Sequence, residues 1–266
     1  MGNDIVTPRV SYALSWGVLG VVLFYLYAPI VIIVLFSFTT SPRLALPIEG
    51  VSLQWYGKAF SYPLMSTALG NSVILAAVSA VVAGILGTAF AFGVIKLKSL
   101  FVRRALLGAG LLPAVVPLLV IGIALAVFFR GIGLRPGLFN AAIGHVLVSL
   151  PFVLLTMNAR LENFDFSILE AARDLGASPA RAFIDITLPL IRPSVIGATL
   201  LAAALSLDEF VVTWFNIGND QTMPVLVWGL MRRGIDPSIN AIAAVLFIML
   251  VCLVIASNFI GQRDQR

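Results

Sequence analysis

Two adjacent carboxylates, Asp208 and Glu209, stand in an otherwise apolar run, Leu205-Ser206-Leu207-Asp208-Glu209-Phe210. An aspartate near the centre of a membrane helix costs on the order of 2.5 to 3.5 kcal/mol, so neighbouring carboxylates are expected to face a hydrated cavity or a cationic partner. At about 1.5 Å per residue, Asp208 lies roughly 24 Å along a helix from Arg192, in the outer part of a bilayer. A cavity there favours a small organic cation by charge. The competing reading is a hydrated structural pair in the interface, or one that pairs with another subunit.

Other reactive groups are few. The single histidine, His145, has no acidic neighbour in sequence, which favours a packed, hydrogen-bonded side chain over a proton relay. The single cysteine, Cys252, lies in the last apolar run, so neither a disulfide framework nor a cysteine metal cluster is expected. There is no Gly-x4-Gly-Lys-Ser/Thr phosphate loop, no His-Glu-x-x-His and no Gly-x-Ser-x-Gly. No catalytic residue, no metal site and no cofactor of the chain's own is therefore expected.

The elements that must position the carboxylates are membrane spans. With 60% hydrophobic and 11% charged residues among 266, the chain falls far below the roughly 25% charge of a water-soluble globule. The apolar runs exceed the roughly 18 residues that cross a bilayer as helix. The fold class expected is all-α, a polytopic membrane protein with six spans near 14–38, 67–95, 105–129, 140–157, 194–215 and 241–260. The first run is longer than a signal-peptide core and is expected to remain in the mature protein. Leu53 to Phe60, among Trp55, Tyr56 and Tyr62, fits either a short helix on the outer membrane surface or a plain loop with aromatic anchors, and Val225 to Met231 can form a short apolar helix facing outward.

Span two carries Ala80, Ala83, Gly84, Gly87, Ala89, Ala91 and Gly93 in overlapping small-x-x-x-small pairs, a pattern for close helix packing. In span three, Pro113 and Pro117 lie one turn apart. They free carbonyls that only protein or a water-filled cavity can satisfy, which makes them a candidate hinge beside a pathway; a static kink fits the same spacing. Of the 17 basic residues, 11 fall in the segments that an inside N-terminus makes cytoplasmic, Lys96, Lys98, Arg103 and Arg104 foremost. Both termini are thus expected inside, and the net charge of +5 reads as orientation rather than nucleic-acid binding.

Between spans four and five lies a polar insertion, EAARDLGASPARAFIDITLP from Glu170 to Pro189. Ser167 and Glu170 have the spacing of a capping box. Gly176 supplies a left-handed stop, and Ser178-Pro179 restarts a helix. Ile168, Ala172 and Leu175 fall on one face of the first short helix, a face that can dock.

Glu170-Ala171-Ala172, three residues, Gly176, nine residues, Ile186, one residue and Leu188-Pro189 resemble the EAA loop of binding-protein-dependent ABC importer permeases at every fixed position. The later stretches Leu205 to Val212, Met223 to Leu226 and Gly234 to Ala241 are similar to the second permease subunit of spermidine/putrescine-type importers. The resemblance implies a single permease domain over 1–266 with the type I importer architecture, in the bacterial cytoplasmic membrane. It implies that the loop at 160–189 is a cytoplasmic coupling segment, with Glu170, Ala171, Ala172, Gly176 and Ala177 against an ATPase. The partners implied are a sister permease, two ATP-binding subunits that use ATP and Mg, and an extracytoplasmic substrate-binding protein. The substrate expected is a polyamine or related organic cation; the same branch also resembles importers of opines, amino-acid derivatives, phosphonates and ferric iron. Of other classes, an ion-coupled secondary transporter should show duplicated halves with interrupted helices, and none is visible. A membrane enzyme would need more convergent acid, base or metal ligands than this chain has.

Overall fold

The structure is a computed structural model that describes residues 8–45, 47–234 and 236–263. Asp264, Gln265 and Arg266 of the basic tail, and Ile235 of the stretch from Gly234 to Ala241, lie outside the described residues. Among the described residues the elements are helical, apart from one isolated antiparallel bridge between Thr39 and Val51. Five helices are long and apolar enough to cross a membrane, and a bent pair makes a sixth span if counted as one.

The chain forms two compact units. One comprises residues up to Tyr62 together with Leu230–Phe247. It holds α1 (Pro8–Ser37), α2 (Gln54–Phe60) and the start of α12 (Pro237–Arg263). Of the two readings of Leu53 to Phe60, the helix is the one present, as α2. Its aromatic residues supply the polar tips that hold it: Trp55 Nε1 donates to the Thr39 carbonyl at 2.5 Å, and the Tyr56 hydroxyl meets Ser37 Oγ at 2.8 Å. Lys58 Nζ pairs with Asp236 at 2.7 Å. Tyr62 reaches Ser238.

The second unit, Pro63–Gly229 with the chain from Ile248 on, carries the bundle. It holds α3 (Met65–Ile95), α4 (Leu100–Val115), α5 (Leu118–Gly131), α6 (Leu138–Glu162), α7 (Ser167–Asp174), α8 (Pro179–Ala182), α9 (Leu188–Asp208), α10 (Val211–Asn216) and most of α11 (Met223–Met231). Its core lies where α3, α6 and α9 meet, with Ala80, Ala83 and Ala91 against Val153, Leu154 and Met157 and against Ile191, Ala198 and Ala202. The small residues of α3 act as their spacing requires. A Cβ on Gly84 would come 2.6 Å from Thr199 Oγ1, and one on Gly87 would come 2.6 Å from Val153 Cγ1, so both glycines let a neighbouring helix approach. Ala89 and Gly93 instead fall on the exposed side.

Two spans depart from the expected outline. The third is two helices, α4 and α5, bent by 97°. Pro113 sits within the last turn of α4, while Val116 and Pro117 are extended between the helices, with ψ of 132° at each. Proline disfavours α conformation in the residue before it; Val116 ahead of Pro117 yields to that restriction, whereas Leu112 ahead of Pro113 stays helical, so the break lies at Pro117. The fifth begins earlier and ends sooner than expected. From Pro179 the helix continues through a π-helical stretch, Phe183–Thr187, into α9, and it stops at Asp208. The wide turn precedes Pro189, which has no N–H to give and crowds the carbonyl four residues back.

Candidate functional site

At the end of α9 the helix breaks. Glu209 has φ −71° and ψ 109°, extended backbone, and α10 starts two residues later. The break separates the two carboxylates. Asp208 is exposed, whereas Glu209 is 7% exposed and its Oε1 accepts the backbone N–H of Val212 at 2.8 Å. Glu209 therefore caps α10, satisfying one of the donors that a helix start leaves orphaned. The pair is not buried within a continuous helix, as the apolar run suggested; it marks a helix end.

Both carboxylates line a cavity of about 490 Å³, together with Leu118 of α5, Val148 of α6, Phe210, and Leu250 and Val254 of α12. Leu118 follows Pro117 directly, so the α4–α5 break and the α9–α10 break meet at one cavity. Pro113 does not line it. Phe210 packs against Trp214 and Trp228 in tilted pairs, with ring centroids 5.7 and 5.4 Å away. Among the described residues the ion pairs are Lys58–Asp236 and Arg103–Glu162, so Asp208 presents a carboxylate without an internal counter-ion.

Glycines seat α10 on its neighbours. A Cβ on Gly144 of α6 would collide with Val212, and one on Gly122 of α5 would come 3.3 Å from the Val212 Cα. Asn216 Nδ2 donates to the Gly122 carbonyl at 3.1 Å. His145 is 1% exposed, with Nδ1 2.6 Å from Ser206 Oγ and Nε2 2.7 Å from Thr213 Oγ1. Packing was the favoured sequence reading for this histidine; its partners, on either side of the α9–α10 break, carried no sequence signal.

The insertion before α9 folds as helix, turn, helix. At the end of α7 the Gly176 N–H donates to Arg173 O at 2.9 Å and the Ala177 N–H to Ala172 O at 3.0 Å, with Gly176 at φ +88°. Those two bonds define a Schellman stop, which needs a residue free of Cβ strain. Ser178 Oγ accepts the Arg181 N–H and Pro179 takes the first helical position, as expected. The N-terminus differs. Ser167 is already helical and makes no cap; Asp165 Oδ1 accepts the Ser167 N–H at 3.0 Å. Hydrogen bonds from the Ser167 side chain and backbone hold the Asp165 carboxyl below its ordinary value. Glu170 is left exposed, with no capping duty. On the expected docking face only Ala172 is buried, whereas Ile168 is 41% and Leu175 90% exposed.

The flanks of this insertion are braced. Arg103 of α4 meets Glu162 at 2.6 Å, and Arg160 at the end of α6 donates to the Leu190 carbonyl of α9 at 3.0 Å. Phe183 packs edge-on against Phe92 of α3. The turn with Glu170 and Gly176 thus projects from a fixed base.

Comparison with known proteins places this architecture. The chain is 33% identical over 247 residues to the spermidine/putrescine transport system permease protein PotC of Haemophilus influenzae, covering 92% of this chain and 95% of that one. It is 35% identical over 229 residues to the putrescine transport system permease protein PotI of Escherichia coli, covering 84% and 81%. Among solved structures, a bacterial ABC transporter involved in import of the acidic polysaccharide alginate superposes with a TM-score of 0.69 over 99% of both chains at 18% identity, a likeness of fold. Residues 80–266 match the family described as binding-protein-dependent transport system inner membrane component, and the chain belongs to that family, the permeases of ABC importers.

Proposed function

We propose that this permease forms half of a path for a polyamine or related small organic cation, and that Asp208 attracts the cation within it. The observation that carries the reading is the near full-length similarity to permeases named for spermidine and putrescine. The exposed, unpaired Asp208 carboxylate in a cavity lined largely by apolar groups supports it, because a charge facing low-dielectric walls attracts an ammonium more strongly than in bulk water.

Energy enters from separate subunits in this reading. Glu170, Ala171, Ala172, Gly176 and Ala177 dock on one of two ATP-binding subunits that use ATP and Mg, and the exposed Leu175 and Ile168 supply the apolar part of the contact. A sister permease completes the path and an extracytoplasmic binding protein delivers the substrate. The loop at 160–189 and both termini lie in the cytoplasm, in agreement with the basic residues around Lys96 to Arg104. The path bends at Pro117, where α5 moves relative to α4.

The test is uptake by the reconstituted importer across a panel of polyamines, opines, amino-acid derivatives, phosphonates and ferric iron. Transport of a polyamine supports the reading. Transport of a neutral or anionic compound alone discards the substrate and keeps the importer.

A further inference from the structure

We propose that His145 is a positioning residue for the translocation path: it bridges the α9–α10 break and so fixes where Asp208 stands. The proposal rests on the reading of that cavity as the path. Ser206 lies in the last turn of α9 and Thr213 in the first turn of α10, and the connection between the helices is only Glu209 and Phe210. One imidazole on α6 hydrogen-bonds to both sides of that connection, at 2.6 and 2.7 Å.

The hydrogen-bond directions follow from the neighbours. Thr213 Oγ1 gives its proton to the Glu209 carbonyl at 2.8 Å. It can therefore only accept from His145, so Nε2 carries the ring proton. Nδ1 then accepts, and the Ser206 hydroxyl donates to it. This arrangement satisfies a neutral ring at both nitrogens, and it also ties down the carbonyl of Glu209 whose carboxylate starts α10. A purely apolar side chain would fill the same space but leave the Ser206 hydroxyl without a partner and Thr213 bonded only within its own side of the break, so that nothing from α6 ties the two sides together. The Gly144–Val212 approach one residue earlier presses α10 onto the same stretch of α6, so the ring is held at a fixed seam.

The experiment reads position rather than transport. Cys252, the single cysteine, is replaced by serine, and Asp208→Cys is introduced into the full reconstituted importer. Its labelling rate with a water-soluble thiol reagent is then measured beside His145, His145→Leu and His145→Gln. The glutamine amide offers a donor NH2 and an acceptor carbonyl, and His145→Gln should keep the parental rate. His145→Leu, which removes both bonds, should change the rate by at least about tenfold, the scale of one lost buried hydrogen bond. Should His145→Leu fail to reach the membrane, Ser206→Ala, which removes one of the two bonds to the ring, replaces it with an expected change of about tenfold. Equal labelling in all backgrounds would overturn the proposal alone. No labelling in the parental background would remove the aqueous path itself, and the proposal with it.

Discussion

Glu209 Oε1 accepts the Val212 N–H at 2.8 Å, so the two adjacent carboxylates of this chain do different work. Glu209 starts a helix; Asp208 faces the cavity. Glu209→Ala should cost about 1 kcal/mol, the usual scale of a lost helix cap, seen as a lower unfolding midpoint of the purified importer. Asp208→Asn should leave that midpoint in place. Equal loss from both would make the pair a single structural unit.

The turn proposed to couple to the ATPase gives a second separation. Because Asp165 supplies the α7 cap, Glu170→Ala should leave α7 helical while weakening co-purification of the ATPase subunit. Asp165→Ala should loosen the first turn instead. Gly176→Val places a branched side chain at φ +88°, a strain of about 1 to 3 kcal/mol, and should lower ATP-dependent uptake at normal membrane abundance. Normal uptake by both Glu170→Ala and Gly176→Val would end the coupling assignment.

At the α4–α5 break, Pro117 and Pro113 should differ. Pro117→Ala removes the restriction that holds Val116 extended and should slow transport. Pro113→Ala, within the last turn of α4, should have little effect. Unchanged transport in both variants would make the 97° bend a static feature.

The clasp between Lys58 and Asp236 predicts a pH window. The hydrogen bond that Lys58 donates to Asp236 raises the Lys58 pKa. Burial pushes the Asp236 carboxyl up, but hydrogen bonds from Lys58 and Ser238 more than reverse this and leave it below its ordinary value. A depressed carboxyl contributes stability above its unfolded pKa of about 3.9 and loses it as pH falls through the folded value; a raised lysine contributes below about 10.4 and loses it as pH rises. Proteolysis of the segment around Asp236 should therefore be slowest between those limits and fastest outside them. In Lys58→Met that dependence should flatten.

Where one backbone position decides the outcome, the sequence signal and the structure agree. Gly176 and Ser178-Pro179 stop and restart helices through their own backbone preferences, and Gly84 and Gly87 serve close packing because they have no side chain. The end of α9 was not legible. Val211 to Phe215 continue the apolar run past Asp208, and hydropathy reports burial, not whether the backbone stays helical. The cap at Asp165 had a signal, an aspartate two residues ahead of Ser167, that the Ser167–Glu170 spacing overshadowed. The partners of His145 lie 61 and 68 residues away, and only the packing of α6 against α9 and α10 joins them.

The central claim is tested most directly by ATP-dependent uptake of labelled spermidine and putrescine into proteoliposomes holding this permease, its sister, the ATPase and the binding protein, with Asp208→Asn beside the parent. The account predicts ATP-dependent uptake, reduced about tenfold by Asp208→Asn, as expected for losing one close charge in a partly desolvated cavity. Uptake without ATP would contradict the importer assignment, and polyamine uptake indifferent to Asp208→Asn would contradict the role given to that carboxylate.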